Sequence, residues 1–309
     1  MPEILKSLLS SQTNLLWVGL ISAVVSAGVS YLFRKWETRD RLETEYEYEQ
    51  RKKLRDLIGL YHGRLLNAAD SMNYRLFDLY ENHEKGWLTR RKYNAMSDYF
   101  HSSVYRFMNV CSLIRQFERE ALYVDGRIAE KTDFLFVKYL NALRWCITDA
   151  SLFDGLPVAN YYDTHHFHAD TFRQYCDSCI NDKGEFIGYD LFIEEVDGVG
   201  QPERVLEFFD SLSKCGKAQP KWGKAPTEYK WDRLVAFHLI LAGLINAFGY
   251  PEQEISEEQI RLISSQFMHM EVLMKLRDWL PKRGLAEESL TKTITQLVPT
   301  VCFGEIRER

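Results

Sequence analysis

The stretch "DTHHFHADTFRQYCDSC", Asp163 to Cys179, places three histidines and two cysteines in one short segment. His165, His168, Cys176 and Cys179 are ligand types that zinc prefers. Asp163 or Thr164 can cap a helix running to Asn181, with Gly184 soon after its end. On that helix His165, His168, Phe172, Cys176 and Cys179 share one face, at steps of three and four. The helix itself forbids a four-ligand site. His165 and Cys179 lie about 14 residues apart, roughly 21 Å on a continuous helix, whereas zinc ligands sit about 2 Å from their ion. The expectation is a packed helix face with no metal. The four could converge only if the chain breaks between His168 and Cys176, where "ADTFRQY" offers no glycine or proline; the other route is an ion shared between Cys176 and Cys179 of two chains. A redox role for "CDSC" lacks the βαβ surroundings such a motif needs.

A second pattern is "RLVAFH", Arg233 to His238. It matches the Arg-x4-His spacing of the helical HEPN ribonucleases, and the chain resembles that family in this detail. The resemblance implies Arg233 for the charge of a phosphodiester and His238 for proton transfer. Leu234 stands where the family usually has a polar residue, and His238 falls in an apolar helix, so the pair is an alternative and no catalytic residue is assigned. "SKCGKAQPKWGKAPTEYK" carries Lys214, Lys217, Lys221, Lys224 and Lys230 with two glycines and two prolines. A loop of that length and charge suits an anionic ligand, a phosphate or a headgroup. "CINDKGEFIGYDLF" fails as a calcium loop, because Cys179 and Lys183 occupy positions where carboxylates are needed. The chain has no P-loop, dinucleotide fingerprint, serine-hydrolase elbow or zinc-protease helix. No cofactor is expected.

The elements that hold these residues begin at the N-terminus. From Ser7 to Phe33 there is no charged residue, and the densest part is Asn14–Phe33. About 20 helical residues reach roughly 30 Å, the hydrocarbon thickness of a bilayer. Trp17 stands near one end, with Tyr31 and Trp36 near the other, where amphipathic rings favour the interface. Arg34, Lys35, Arg39 and Arg41 follow at once. By the positive-inside rule the bulk of the chain lies in the cytoplasm and residues 1–13 outside, at a plasma (inner) membrane. A cleaved signal peptide would put its basic run before the apolar stretch, not after it. Gly19, Ser22, Ala23, Ser26, Ala27 and Ser30 form a stripe of small residues on the segment, which suits helix–helix association in lipid.

Residues 34–80 read as a mixed-charge helical stalk leading into a first packed helix. In its second half Leu54, Leu57, Ile58, Tyr61, Leu65, Ala69, Met72, Leu76 and Leu79 recur at three and four. Residues 81–309 read as a helical cytoplasmic domain. "EKGW" at Glu84–Trp87 breaks the first pattern, Tyr93–Tyr123 resumes it, and "DFLFVKYLNALRWCITDASLF" is a buried helix ended by "DGLP". "EFIGYDLFIEEV" reads as a turn and a short helix. Further helices are expected at Pro202–Lys214, Trp231–Phe248, Glu257–Leu280 and Glu287–Leu297. The apolar run Leu234–Tyr250 is too short and too interrupted for a second span and fits a core helix.

Composition agrees with this organisation. The 309 residues are 46% hydrophobic and 27% charged with only 8 prolines, which describes a folded chain. A net charge of −5 runs against a nucleic-acid binder, and no DNA-binding signature is present. The 6 cysteines are mostly scattered through apolar helices, the usage of a reducing compartment. The reading is an all-α, single-pass, non-enzymatic membrane module that forms a homo-oligomer through its anchor. Its partners would be the lipid bilayer and a cytosolic protein or trigger. One version of it is a bacterial anti-phage defence effector that perturbs the membrane.

Overall fold

The computed structural model describes the backbone of residues 2–90, 95–122, 128–156, 165–196, 203–212, 229–286 and 290–296, and the side chains of these except 2–21, 24, 84, 95–97 and 195–196. The described residues are all-α, with one isolated bridge between Ile180 and Phe186 and no strand. The chain divides between Lys53 and Leu54 into two compact units. Helix α1 is assigned from Pro2 to Asn82. In the first unit its described side chains are exposed almost throughout, with i,i+4 pairs such as Arg51–Glu47 on the charged part.

In the second unit, the rest of α1 is joined by α2 (Ala95–Ala121), α3 (Lys131–Thr148), α4 (Ala169–Ser178) and α5 (Tyr189–Val196). Then come α6 (Glu203–Leu212), α7 (Lys230–Phe248), α8 (Glu257–Ser264), α9 (Met270–Lys282) and a helical stretch at 290–296. The apolar stripe of α1 lies in the core: Leu54, Tyr61, Leu65, Ala69, Met72, Leu76 and Leu79 are buried, and Leu57 and Ile58 are partly so. Each buried Leu or Phe of this kind contributes about 1.5–3 kcal/mol relative to exposure. Gly86 ends the run with φ 66, a left-handed conformation that costs glycine little.

Helix α7 is the centre. Among the described residues it is the one helix long and apolar enough to cross a bilayer, yet every residue from Trp231 to Ile245 is buried by protein. It is packed by α3, α6, α8 and α9. Gly243 lets neighbours pack close against α7: a Cβ there would lie 3.0 Å from Tyr139 Cε1 and 2.6 Å from Leu290 Cδ2.

Two sequence expectations are corrected. The helix expected from Asp163 or Thr164 begins at Ala169; residues 157–164 lie outside the described residues, and 165–168 are not helical. Phe167 N donates to Ile147 O at 3.0 Å, so the backbone there is tied to the end of α3 instead of to its own turn. The helix expected over Glu257–Leu280 is two helices. Asp232 Oδ1 accepts from Met268 N and His269 N at 2.7 and 3.3 Å, and Trp231 Nε1 donates to Gln266 O at 2.8 Å. Side chains from α7 thus satisfy backbone groups that a continuous helix would have used.

Candidate functional site

Arg233 and His238 sit on α7, and both are 0% exposed. Arg233 Nη1 donates to Cys146 O and, at 3.1 Å, to Asp149 O, while its guanidinium lies 4.6 Å from the Phe153 ring centre. His238 faces another wall. Its Nε2 is 2.8 Å from Asn73 Oδ1 and its Nδ1 is 2.9 Å from the Tyr80 hydroxyl. Asn73 Oδ1 only accepts, so Nε2 carries the proton and Nδ1 accepts from Tyr80. Burial pushes the imidazole down to about 3, and it stays neutral at physiological pH. The two side chains have separate partners in the core, with no solvent-facing surface that RNA could reach.

Cys176 and Cys179 are 1% and 3% exposed, so neither is presented to a second chain. Burial raises the Cys176 thiol above its ordinary range, the state of an inert core cysteine. Among the described residues no group of three or more His, Cys, Asp or Glu is placed to hold a metal ion. Lys214, Lys217, Lys221 and Lys224 lie outside the described residues. Lys230 opens α7 and lines a hollow of about 290 Å³ with His165, His166, Arg204 and Glu207. Burial, then the charge of Arg233, pushes His166 down to about 4. Of the small-residue stripe, the Gly19 position lies outside the described side chains. Ser22, Ala23, Ser26, Ala27 and Ser30 are exposed.

Buried Asp232 and partly exposed His269 form a pair that spacing did not reveal, with Nδ1 to Oδ2 at 2.5 Å. Burial raises the carboxyl of Asp232, opposed by the hydrogen bond from His269. Because the same carboxylate also holds the backbone before α9, the pair reads as a structural clasp between α7 and α9.

The polar site that sequence reasoning missed lies between α1 and α2. Two contiguous hollows of about 580 and 610 Å³ share Ala68, Ser71, Tyr105 and Asn109. The α1 wall is Arg64, Asn67, Ala68, Ser71 and Arg75, at spacings of three and four. The α2 wall includes Tyr99, Ser102, Tyr105, Arg106 and Asn109, again one helical face; Phe186 and Tyr189 close the side. Arg75 Nη2 donates to Ser102 Oγ at 3.0 Å, and its guanidinium stands 4.3 Å from the Tyr99 ring centre. Arg106 Nη1 donates to Ser71 O at 2.8 Å. Burial, then the charge of Arg75, lowers the proton affinity of Arg106. The only sequence signal was polar residues flanking two apolar stripes, which looks the same as a solvated edge.

Compared with known proteins, the chain matches no protein family, no curated protein and no solved structure.

Proposed function

We propose that the chain is a non-enzymatic module anchored in a membrane by its N-terminal helix, with the helical second unit in the cytoplasm. One observation carries the reading. On the described part of the uncharged segment of α1, Val25, Val29, Tyr31, Leu32 and Phe33 are all between 46% and 70% exposed. An uncharged helix with bare apolar side chains is unfavourable in water and stable in lipid. The basic residues Arg34, Lys35, Arg39 and Arg41 that follow favour a cytoplasmic second unit. The burial of Arg233 and His238 speaks against the ribonuclease alternative at that pair.

The test is extraction of the full chain from membranes at alkaline pH, followed by protease digestion of intact spheroplasts. Retention in the pellet, with the second unit protected until lysis, is the expected result. Release into the supernatant would remove the anchor. The exposed Ser22, Ala23, Ser26, Ala27 and Ser30 favour self-association within the bilayer. Ala23→Leu with Ala27→Leu should then lower the mass of the protein in detergent, and an unchanged mass would dispose of that contact. An effector that perturbs the bilayer on a cytosolic trigger has this same layout. It requires an ion leak in cells expressing the chain with its trigger, and tight membranes in both states would end that version.

A further inference from the structure

We propose that the groove between α1 and α2 binds a phosphorylated, ring-bearing small molecule, a nucleotide, with Arg75 and Arg106 on the phosphate and Asn67 and Asn109 on the ring edge. The inference goes beyond membrane anchoring and stands without it. The hollows, about 580 and 610 Å³, are open grooves with room to seat such a ligand along their length.

The charge arrangement points to an anion. Arg75 has a carboxylate neighbour, Asp78 at 3.7 Å. Among the described residues Arg106 pairs with no carboxylate, and its Nη1 is held by a backbone carbonyl. Two guanidinium groups therefore share one hollow, with Asp78 beside Arg75 and Asp98 on the same lining, and their mutual repulsion is relieved by an incoming anion. Asp98 and Glu185 also line the hollows, but both are exposed, so solvent weakens their opposition. A phosphoryl group offers the oxygens that paired arginines grip best.

The other half of the groove points to a ring. Tyr105 stands 5.0 Å from Phe186 and 5.3 Å from Tyr189, ring centre to ring centre, and makes a firm aromatic wall. The hydroxyls of Tyr105 and Tyr189 are already committed to Ile187 O and Asp98 O. These rings thus offer apolar surface instead of hydrogen bonds. Among the described residues the Asn67 and Asn109 amides make no protein hydrogen bond, although both line the hollow beside Tyr105. An amide presents a donor beside an acceptor, the pattern that pairs with the edge of a purine.

The experiment is calorimetric titration of the full chain in detergent with ADP, adenosine and inorganic pyrophosphate. Saturable binding of ADP is expected, at least tenfold tighter than either fragment. Arg106→Ala should weaken ADP about ten- to hundredfold, the range of one charge-assisted contact. Asn109→Ala should weaken ADP but leave pyrophosphate unchanged, and it covers the case in which the arginine variant fails to fold. No ADP binding would overturn the inference. So would pyrophosphate binding as tightly as ADP, or ADP affinity unmoved by Arg106→Ala and Asn109→Ala in folded protein.

Discussion

Replacing His238 with glutamine should remove a pH dependence from folding stability, and the size of the effect follows from the burial of the ring. In the folded chain the imidazole takes a second proton only below about 3. In the unfolded chain it takes one near the ordinary value of about 6.5. Between those values the unfolded state binds more protons, so stability is complete above about pH 6.5 and is lost as pH falls towards 3. Over the whole window this amounts to about 5 kcal/mol, and between pH 8 and pH 4.5 to about 3 kcal/mol. The absolute stability of the variant also falls, because Tyr80 and Asn73 lose their partner. That loss cancels when each protein is compared with itself at the two pH values. The assay is urea unfolding of full-length wild type and His238→Gln in detergent at pH 8 and pH 4.5, followed by tryptophan fluorescence. Wild type should lose about 3 kcal/mol more than the variant on acidification. Equal losses would refute the claim that His238 is buried and neutral, and would return it to the list of groups able to exchange protons.

Three further predictions rest on separate contacts. Asp232→Ala strips the partner from His269 and two hydrogen bonds from the backbone before α9, and should cost about 3–5 kcal/mol in denaturant unfolding; a loss under about 1 kcal/mol would mean that the clasp is unimportant. Gly243→Ala drives a methyl into Tyr139 and Leu290 and should destabilise by about 1–3 kcal/mol, whereas a neutral result would show that Leu290 moves aside freely. Cys111, Cys146, Cys176 and Cys179 are buried, so a thiol reagent should label them only as fast as the domain unfolds. Rapid native labelling of Cys176 or Cys179 would show them at a surface, where a shared metal again becomes possible.

Much of the fold was legible in the residues themselves. Apolar steps of three and four marked the packed face of α1 from Leu54 to Leu79, and an apolar run without a polar face marked α7 as central. Both are properties of one helix, and a helix displays its own amphipathicity in its spacing. The start of α4 and the break between α8 and α9 were not legible. Each is set by a hydrogen bond to a distant partner, Ile147 O for Phe167 and the side chains of Trp231 and Asp232 for residues 266–269. The roles of Arg233 and His238 were decided the same way: spacing fits a catalytic pair, but packing turns the two side chains to different walls of the core. The groove is the clearest case. Arg75 and Arg106 belong to different helices, and each alone looks like a solvated edge. Their meeting depends on which faces of α1 and α2 pack together, and tertiary contacts determine that pairing whereas local spacing does not.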